Sequence, residues 1–164
     1  MEQKYFMHRI KKENGSFVKG IEIHDTLDSA IASFHAYMTV GYNNPNNPDV
    51  TYVACKITDT TGSIIAPYDE AWQKAPEEEN VFFLHHIRKT GETFSKDIDI
   101  LATFDAACYN FHDQMAYGYD NPRQPNVVYV SAMITDLSGI VLDPFRGNWI
   151  KPEVQPEPEP EIQE

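Results

Sequence analysis

The sequence predicts an α+β protein: a tandem repeat of two ββαββ units, each a small antiparallel sheet with one helix packed on one face. Three observations carry that prediction. Residues 5–72 match residues 82–149 at a constant spacing without a gap, and about 28 of the 68 positions are identical. Within each copy apolar residues alternate with a period of two, then recur with a period of 3.6, then alternate again. Gly, Asn, Asp and Pro fall between those runs, where the chain has to reverse.

The first strand is the alternation of Phe6, His8 and Ile10, returning unchanged as Phe83, His85 and Ile87 while the residues between them drift. A period of two with one face retained marks a strand with a buried face. Glu13-Asn14-Gly15-Ser16 supplies a turn, with Gly91 one position earlier in the copy. Phe17, Lys19, Ile21 and Ile23, matched by Phe94, Lys96, Ile98 and Ile100, then complete an antiparallel hairpin. Thr26 and Thr103 precede the helical runs Leu27, Ala30, Ile31, Phe34, Met38 and Phe104, Ala107, Cys108, Phe111, Met115. Threonine is a good N-cap, and Asp28 or Asp105 suits the positive end of the helix dipole. The helix is expected to run about 14 residues and stop at Gly41 or Gly118. Val53, Cys55 and Ile57, mirrored by Val130, Ala132 and Ile134, form a third strand. Asp59-Thr60-Thr61-Gly62 and Asp136-Leu137-Ser138-Gly139 turn the chain into a fourth, Ser63–Ala66 or Ile140–Asp143, before Pro67 or Pro144.

One helix covers one face of each sheet. The other face, carrying Met7, Val18 and Gly20 and their counterparts Leu84, Ser95 and Asp97, is left for contact between the two units or with a partner. The units occupy residues 1–72 and 81–150, with the polar linker 73–80 between them. The tail 151–164 alternates Pro and Glu, so it can neither continue a helix or sheet nor bury apolar surface.

The chain carries a formal net charge of −12. Linker and tail hold half of it, −2 and −4, leaving the two units mildly acidic. Partners with phosphate backbones or anionic lipid heads are held mainly by Lys and Arg, so nucleic acid and membrane surfaces are excluded as expected partners. Apolar runs fall short of the roughly 20 residues of a membrane span, and the N-terminus lacks a signal-peptide pattern, which predicts a cytoplasmic protein. Cys55 and Cys108 have neither metal-site nor redox spacing and read as small buried apolar residues.

Polar positions kept in both copies are the candidates for chemistry. The candidate ligand contacts are His8, Lys19, His35 and Tyr42 with their counterparts His85, Lys96, His112 and Tyr119. His8 is expected to approach His35 where the helix crosses the hairpin. Asp59 and Asp136 read as turn residues, Asn44-Pro45 and Asn121-Pro122 as loop punctuation, and Trp72 and Trp149 as clamps on a small core. H-E-x-x-H, a phosphate loop, G-x-S-x-G and a dinucleotide fingerprint are all missing, so no catalytic residue, metal ligand or cofactor is expected and the chain reads as a non-enzyme.

Phe34-His35, Gly41-Tyr42 and Tyr52-Val53-x-x-x-Ile57-Thr58-Asp59-x-x-Gly62 together resemble a group of small, mostly uncharacterised phage and prophage proteins of Gram-positive bacteria, which carry one such unit. The resemblance implies a viral genome context and location in the infected bacterial cytoplasm or the virion. It also implies that single units pair as homodimers, for which this tandem is a covalent version. Two functions follow: a non-enzymatic accessory or virion protein acting through protein–protein contacts, or a small-ligand-sequestering or host-defence-inhibiting protein with equivalent sites in the two repeats.

Overall fold

The computed structural model describes residues 3–41, 44–65, 80–118 and 120–142. The first half contributes β1 (Tyr5–Glu13), β2 (Ser16–His24), α1 (Leu27–Met38) and β3 (Val50–Asp59). The second contributes β4 (Phe82–Thr90), β5 (Thr93–Leu101), α2 (Phe104–Met115), β6 (Val127–Asp136) and β7 (Val141–Leu142). The fold is α+β, with two helices and two antiparallel sheets in the orders β2-β1-β3 and β5-β4-β6-β7. Linker residues 73–79, the tail 151–164, Tyr42, Tyr119, Trp72 and Trp149 lie outside the described residues.

Two-residue turns set the register of both hairpins. Asn14 and Gly15 both take positive φ, 53° and 81°, as a type I′ turn requires, and Glu13 pairs with Ser16. In the copy Gly91 alone turns left-handed, at 60°, and Thr90 pairs with Thr93. Each helix begins where a threonine hydroxyl accepts a backbone N–H: Ser29 N donates to Thr26 Oγ1 and Ala106 N to Thr103 Oγ1, both at 3.1 Å. Both helices end after 12 residues, short of Gly41 and Gly118. Gly41 and Gly118 do turn left-handed, with φ of 41° and 38°, two residues beyond the C-caps Thr39 and Ala116. Asn44 Nδ2 donates to the carbonyls of Thr39 and Val40, and Asn121 Nδ2 to those of Ala116 and Tyr117, supplying partners that another helical turn would have given.

The fourth strand differs between the halves. Val141 and Leu142 pair with Thr135 and Ile134, whereas the first half keeps only an isolated bridge, Thr58 to Ile64. The first sheet is thus three-stranded among the described residues, not four-stranded as expected. Ile65 N still donates to the Ile57 carbonyl at 2.9 Å, and the turn does not separate the halves, since Asp59 accepts the amides of Thr61 and Ser63 just as Asp136 accepts those of Ser138 and Ile140.

The two sheet faces are reversed from the sequence expectation. Pairing places His8 opposite Lys56 and Ile10 opposite Ala54, so Phe6, His8 and Ile10 share a face with Tyr52, Ala54, Lys56 and Thr58. That face packs on the other sheet: Phe6, Ile10, Ile21, Tyr52 and Ala54 form one cluster with Phe83, Ile87, Ile98, Tyr129 and Leu137. Met7, Cys55 and Ile57 lie on the opposite face, beneath Ala30 and Phe34 of α1, and Leu84, Ala132 and Ile134 lie beneath Ala107 and Phe111 of α2. The order of layers is helix, sheet, sheet, helix. Both faces of β3 are therefore covered, which is why its residues from Tyr52 to Thr58 are buried without interruption.

The packing between the sheets has approximate two-fold symmetry. Phe6 stacks on Tyr129 at 6.0 Å and meets the edge of Phe94 at 5.5 Å; Phe83 stacks on Tyr52 at 6.2 Å and meets Phe17 at 5.3 Å. Offset-stacked and edge-on rings each add about 0.5–1.5 kcal/mol beyond their buried area.

Candidate functional site

The polar centre of the shared core is a pair of histidines. β1 and β4 are each flanked by a strand on either side, and His8 and His85 occupy the middle of their inward faces. Their exposures are 3% and 1%. His8 Nδ1 lies 3.1 Å from His85 Nδ1, while His8 Nε2 lies 2.8 Å from Thr58 Oγ1 and His85 Nε2 lies 2.8 Å from Thr135 Oγ1. A hydrogen bond between two Nδ1 atoms needs a proton on one and a lone pair on the other, so the rings hold opposite tautomers. The ring donating through Nδ1 accepts its threonine hydroxyl at Nε2, and the other ring donates from Nε2 to its own threonine. Every ring nitrogen is thereby satisfied with both rings neutral, and reversing all three bonds satisfies them equally.

A further proton on Nε2 of the donating ring would keep these bonds, its threonine hydroxyl turning to accept, but would place a positive charge in the core between the sheets. Burial lowers the His8 pKa to about 3, assisted by the charge of Lys56. His85 is held well below its ordinary value by burial, with His8, Lys56 and His86 adding to the effect. Lys56 itself is 2% exposed and stands opposite His8 in the ladder, where the second half has Met133.

The other sequence candidates are placed apart from this pair. Lys19 Nζ lies 3.5 Å from Asp97 Oδ1 and ties β2 to β5. Lys96 is exposed, and Gly20 stands where an equivalent acid would be. His35 and His112 are exposed in the last turns of α1 and α2, edge-on to Phe34 and Phe111. The expected approach of His8 to His35 does not occur, because α1 covers the opposite sheet face. Tyr42 and Tyr119 lie outside the described residues.

No family model, curated protein or solved structure matches this chain. The retained turn residues do act as turn residues. Asp136 Oδ1 accepts from Ser138 N and Ile140 N, as Asp59 does in the first half. The backbone amides of Asn46 and Arg123 donate to Asn44 Oδ1 and Asn121 Oδ1.

Several residues at these sites escaped the sequence reading. Thr58 and Thr135 are retained in both copies, so the signal for them was present. Lys56 differs between copies, and so does the cluster of His86, Asp97 and Asp99, whose ligand-type atoms all lie within 4.8 Å of one another. Retention in both halves carries no signal for residues that differ between them. The tight turn at Gly91-Glu92 nonetheless fixes His86 opposite Asp97, so that juxtaposition could have been read from the hairpin alone.

Proposed function

We propose that this chain is a tandem duplication of a ββαββ unit that pairs with itself, serving a phage as a non-enzymatic accessory or virion protein acting through protein–protein contacts. The observation that carries this reading is where the two copies agree and where they differ. Phe6, His8, Ile10, Phe17, Ile21, Tyr52 and Thr58 are identical in their counterparts and line the surface between the sheets. Ala32, Ser33, Ala36 and Tyr37 of α1 are replaced by Tyr109, Asn110, Asp113 and Gln114 in α2. Retention on the inside and drift on the outside is the pattern of a self-associating pair whose two outer faces have been free to acquire different contacts. His8 and His85 are spent on each other and on threonines, which favours protein contacts over sequestration of a ligand by these histidines. The mildly acidic units suit a protein partner better than a polyanion.

The test is to express the tagged full chain during infection, analyse purified virions by mass spectrometry, and re-bind any recovered partner using purified components. A fixed copy number in virions, or a reconstituted stoichiometric complex, supports the reading. Absence from virions together with failure of every recovered candidate to re-bind overturns it. A thermal shift with one member of a nucleotide and metabolite panel would favour ligand sequestration instead.

A further inference from the structure

The two halves treat one position on the helix-facing side of the sheet in opposite ways. In the first half Arg9 Nε lies 3.3 Å from Glu22 Oε2, and its guanidinium sits over the Tyr37 ring. A Cβ added to Gly20 would meet that guanidinium at 3.0 Å, so the cation occupies the space between residues 20 and 22. In the second half the three positions are His86, Asp97 and Asp99. At these positions the second half lacks the arginine and has one more carboxylate than the first.

These three side chains bring one imidazole and two carboxylates within 4.8 Å of one another. His86 and Asp97 are direct partners in the β4–β5 ladder and Asp99 follows two residues on, so all three project to the same side. His86 Nε2 is 3.2 Å from Asp99 Oδ2, yet it is shut off from solvent without a hydrogen bond of acceptable geometry among the described residues. Asp97 Oδ1 accepts Ile98 N and faces Lys19, which leaves Oδ2 for a further partner. Arg88, the next residue on this face of β4, has its guanidinium 4.0 Å above the Tyr117 ring. We infer that His86, Asp97 and Asp99 bind a divalent transition-metal ion, Zn²⁺ being the best match, where the first half holds the Arg9 guanidinium. One imidazole nitrogen and two carboxylates are ordinary zinc ligands, and three protein ligands leave a position for water or a partner's side chain. This inference is independent of the phage-protein reading and adds a site that the first half lacks.

Tag-free full-length protein titrated with Zn²⁺ by calorimetry is expected to bind one equivalent that is lost in His86→Arg and weakened at least about tenfold in Asp99→Asn. His86→Arg reinstates the first half's own pairing, so its fold is expected to be retained; unchanged thermal unfolding without metal checks this. In the histidine ¹H–¹⁵N spectrum of the wild type, the ring nitrogens of His86 are expected to shift on adding Zn²⁺. The inference is overturned by equal Zn²⁺ stoichiometry and affinity in wild type and both variants, or by His86 resonances that do not move, the imidazole then acting only as a partner of Asp99.

Discussion

The first and second halves share their inner surface and part company on their outer one. Between the sheets the ring contacts of Phe6 mirror those of Phe83: Phe6 with Tyr129 and Phe94, Phe83 with Tyr52 and Phe17. On the helix side Arg9 and Glu22 face His86 and Asp99 across the duplication. Close packing explains the contrast. Interdigitated rings tolerate little change in volume, and a change in one copy of a symmetric interface must be met by its partner. An outer ion pair carries little stability and can be exchanged freely. Even the inner layer is not wholly symmetric, since Lys56 faces the histidines from one side and Met133 from the other.

The largest expected effect tests the mirror itself. Phe83→Ala and Phe6→Ala each remove a ring packed at 0% exposure and should each cost about 3–5 kcal/mol in denaturant unfolding. Similar costs, with both halves lost in one transition, fit a shared core. Two separate transitions, with only the mutated half destabilised, would break the comparison.

The histidine pair comes next. His8→Leu or His85→Leu alone strands a buried ring nitrogen and a threonine hydroxyl and should cost about 1–3 kcal/mol. Replacing both together removes the polar pair entirely and should cost less than the two single changes summed. Additive costs in the double-mutant cycle would mean that the 3.1 Å contact carries no coupling.

The elements were legible in the sequence and the assembly only partly so. Caps at Thr26 and Thr103, turns at Asp59 and Asp136 and the hairpin at Asn14-Gly15 are local chemistry, in which a side chain a few residues away decides the outcome. Which face of β1 meets the helix is not local. Phe6 and Met7 are equally apolar neighbours, and only the pairing of His8 with Lys56 and of Met7 with Ile57 assigns them to opposite layers. Retention at Phe6, His8 and Ile10 showed that this face mattered without saying what covered it. The second partner of His8, His85, lies 77 residues away, beyond the reach of any periodicity.

Acid should expose the pair. The folded His8 pKa is lowered from 6.5 to about 3, so the unfolded chain binds protons that the folded one refuses. The His8 share of stability is fully present above pH 6.5 and declines as pH falls toward 3, by up to about 1.4 kcal/mol per pH unit, and His85 acts in the same direction. Carboxylates contribute to the same range, so the slope is to be compared with that of the double leucine variant, which should be shallower. Equal slopes would refute neutral buried imidazoles. Lys56→Met copies the second half and removes a nearby positive charge, so it should raise the titration of the pair toward neutral pH.

A smaller effect with opposite signs distinguishes the two core tyrosines. Tyr129 Oη donates to the Asp59 carbonyl oxygen at 3.5 Å, whereas Tyr52 Oη is buried without a partner among the described residues. Tyr52→Phe should therefore leave stability unchanged or raise it by about 1 kcal/mol, while Tyr129→Phe should lower it by up to about 1 kcal/mol. Equal shifts in denaturation midpoint would mean that the two hydroxyls are in fact equivalent.

The smallest difference concerns the strand edges. Lys19 reaches Asp97 across the boundary between the halves at 3.5 Å, and Lys96 has Gly20 where that acid would stand. The lysine is about a quarter exposed and the aspartate more than half, so solvent screens the pair and limits its worth to about 0.2–1 kcal/mol. Lys19→Ala should lower stability by that much at low ionic strength and by less in high salt, whereas Lys96→Ala should sit near zero in both. If the two substitutions respond identically to salt, the pair contributes nothing to joining β2 and β5, and the halves are held together by the shared aromatic and histidine layer alone.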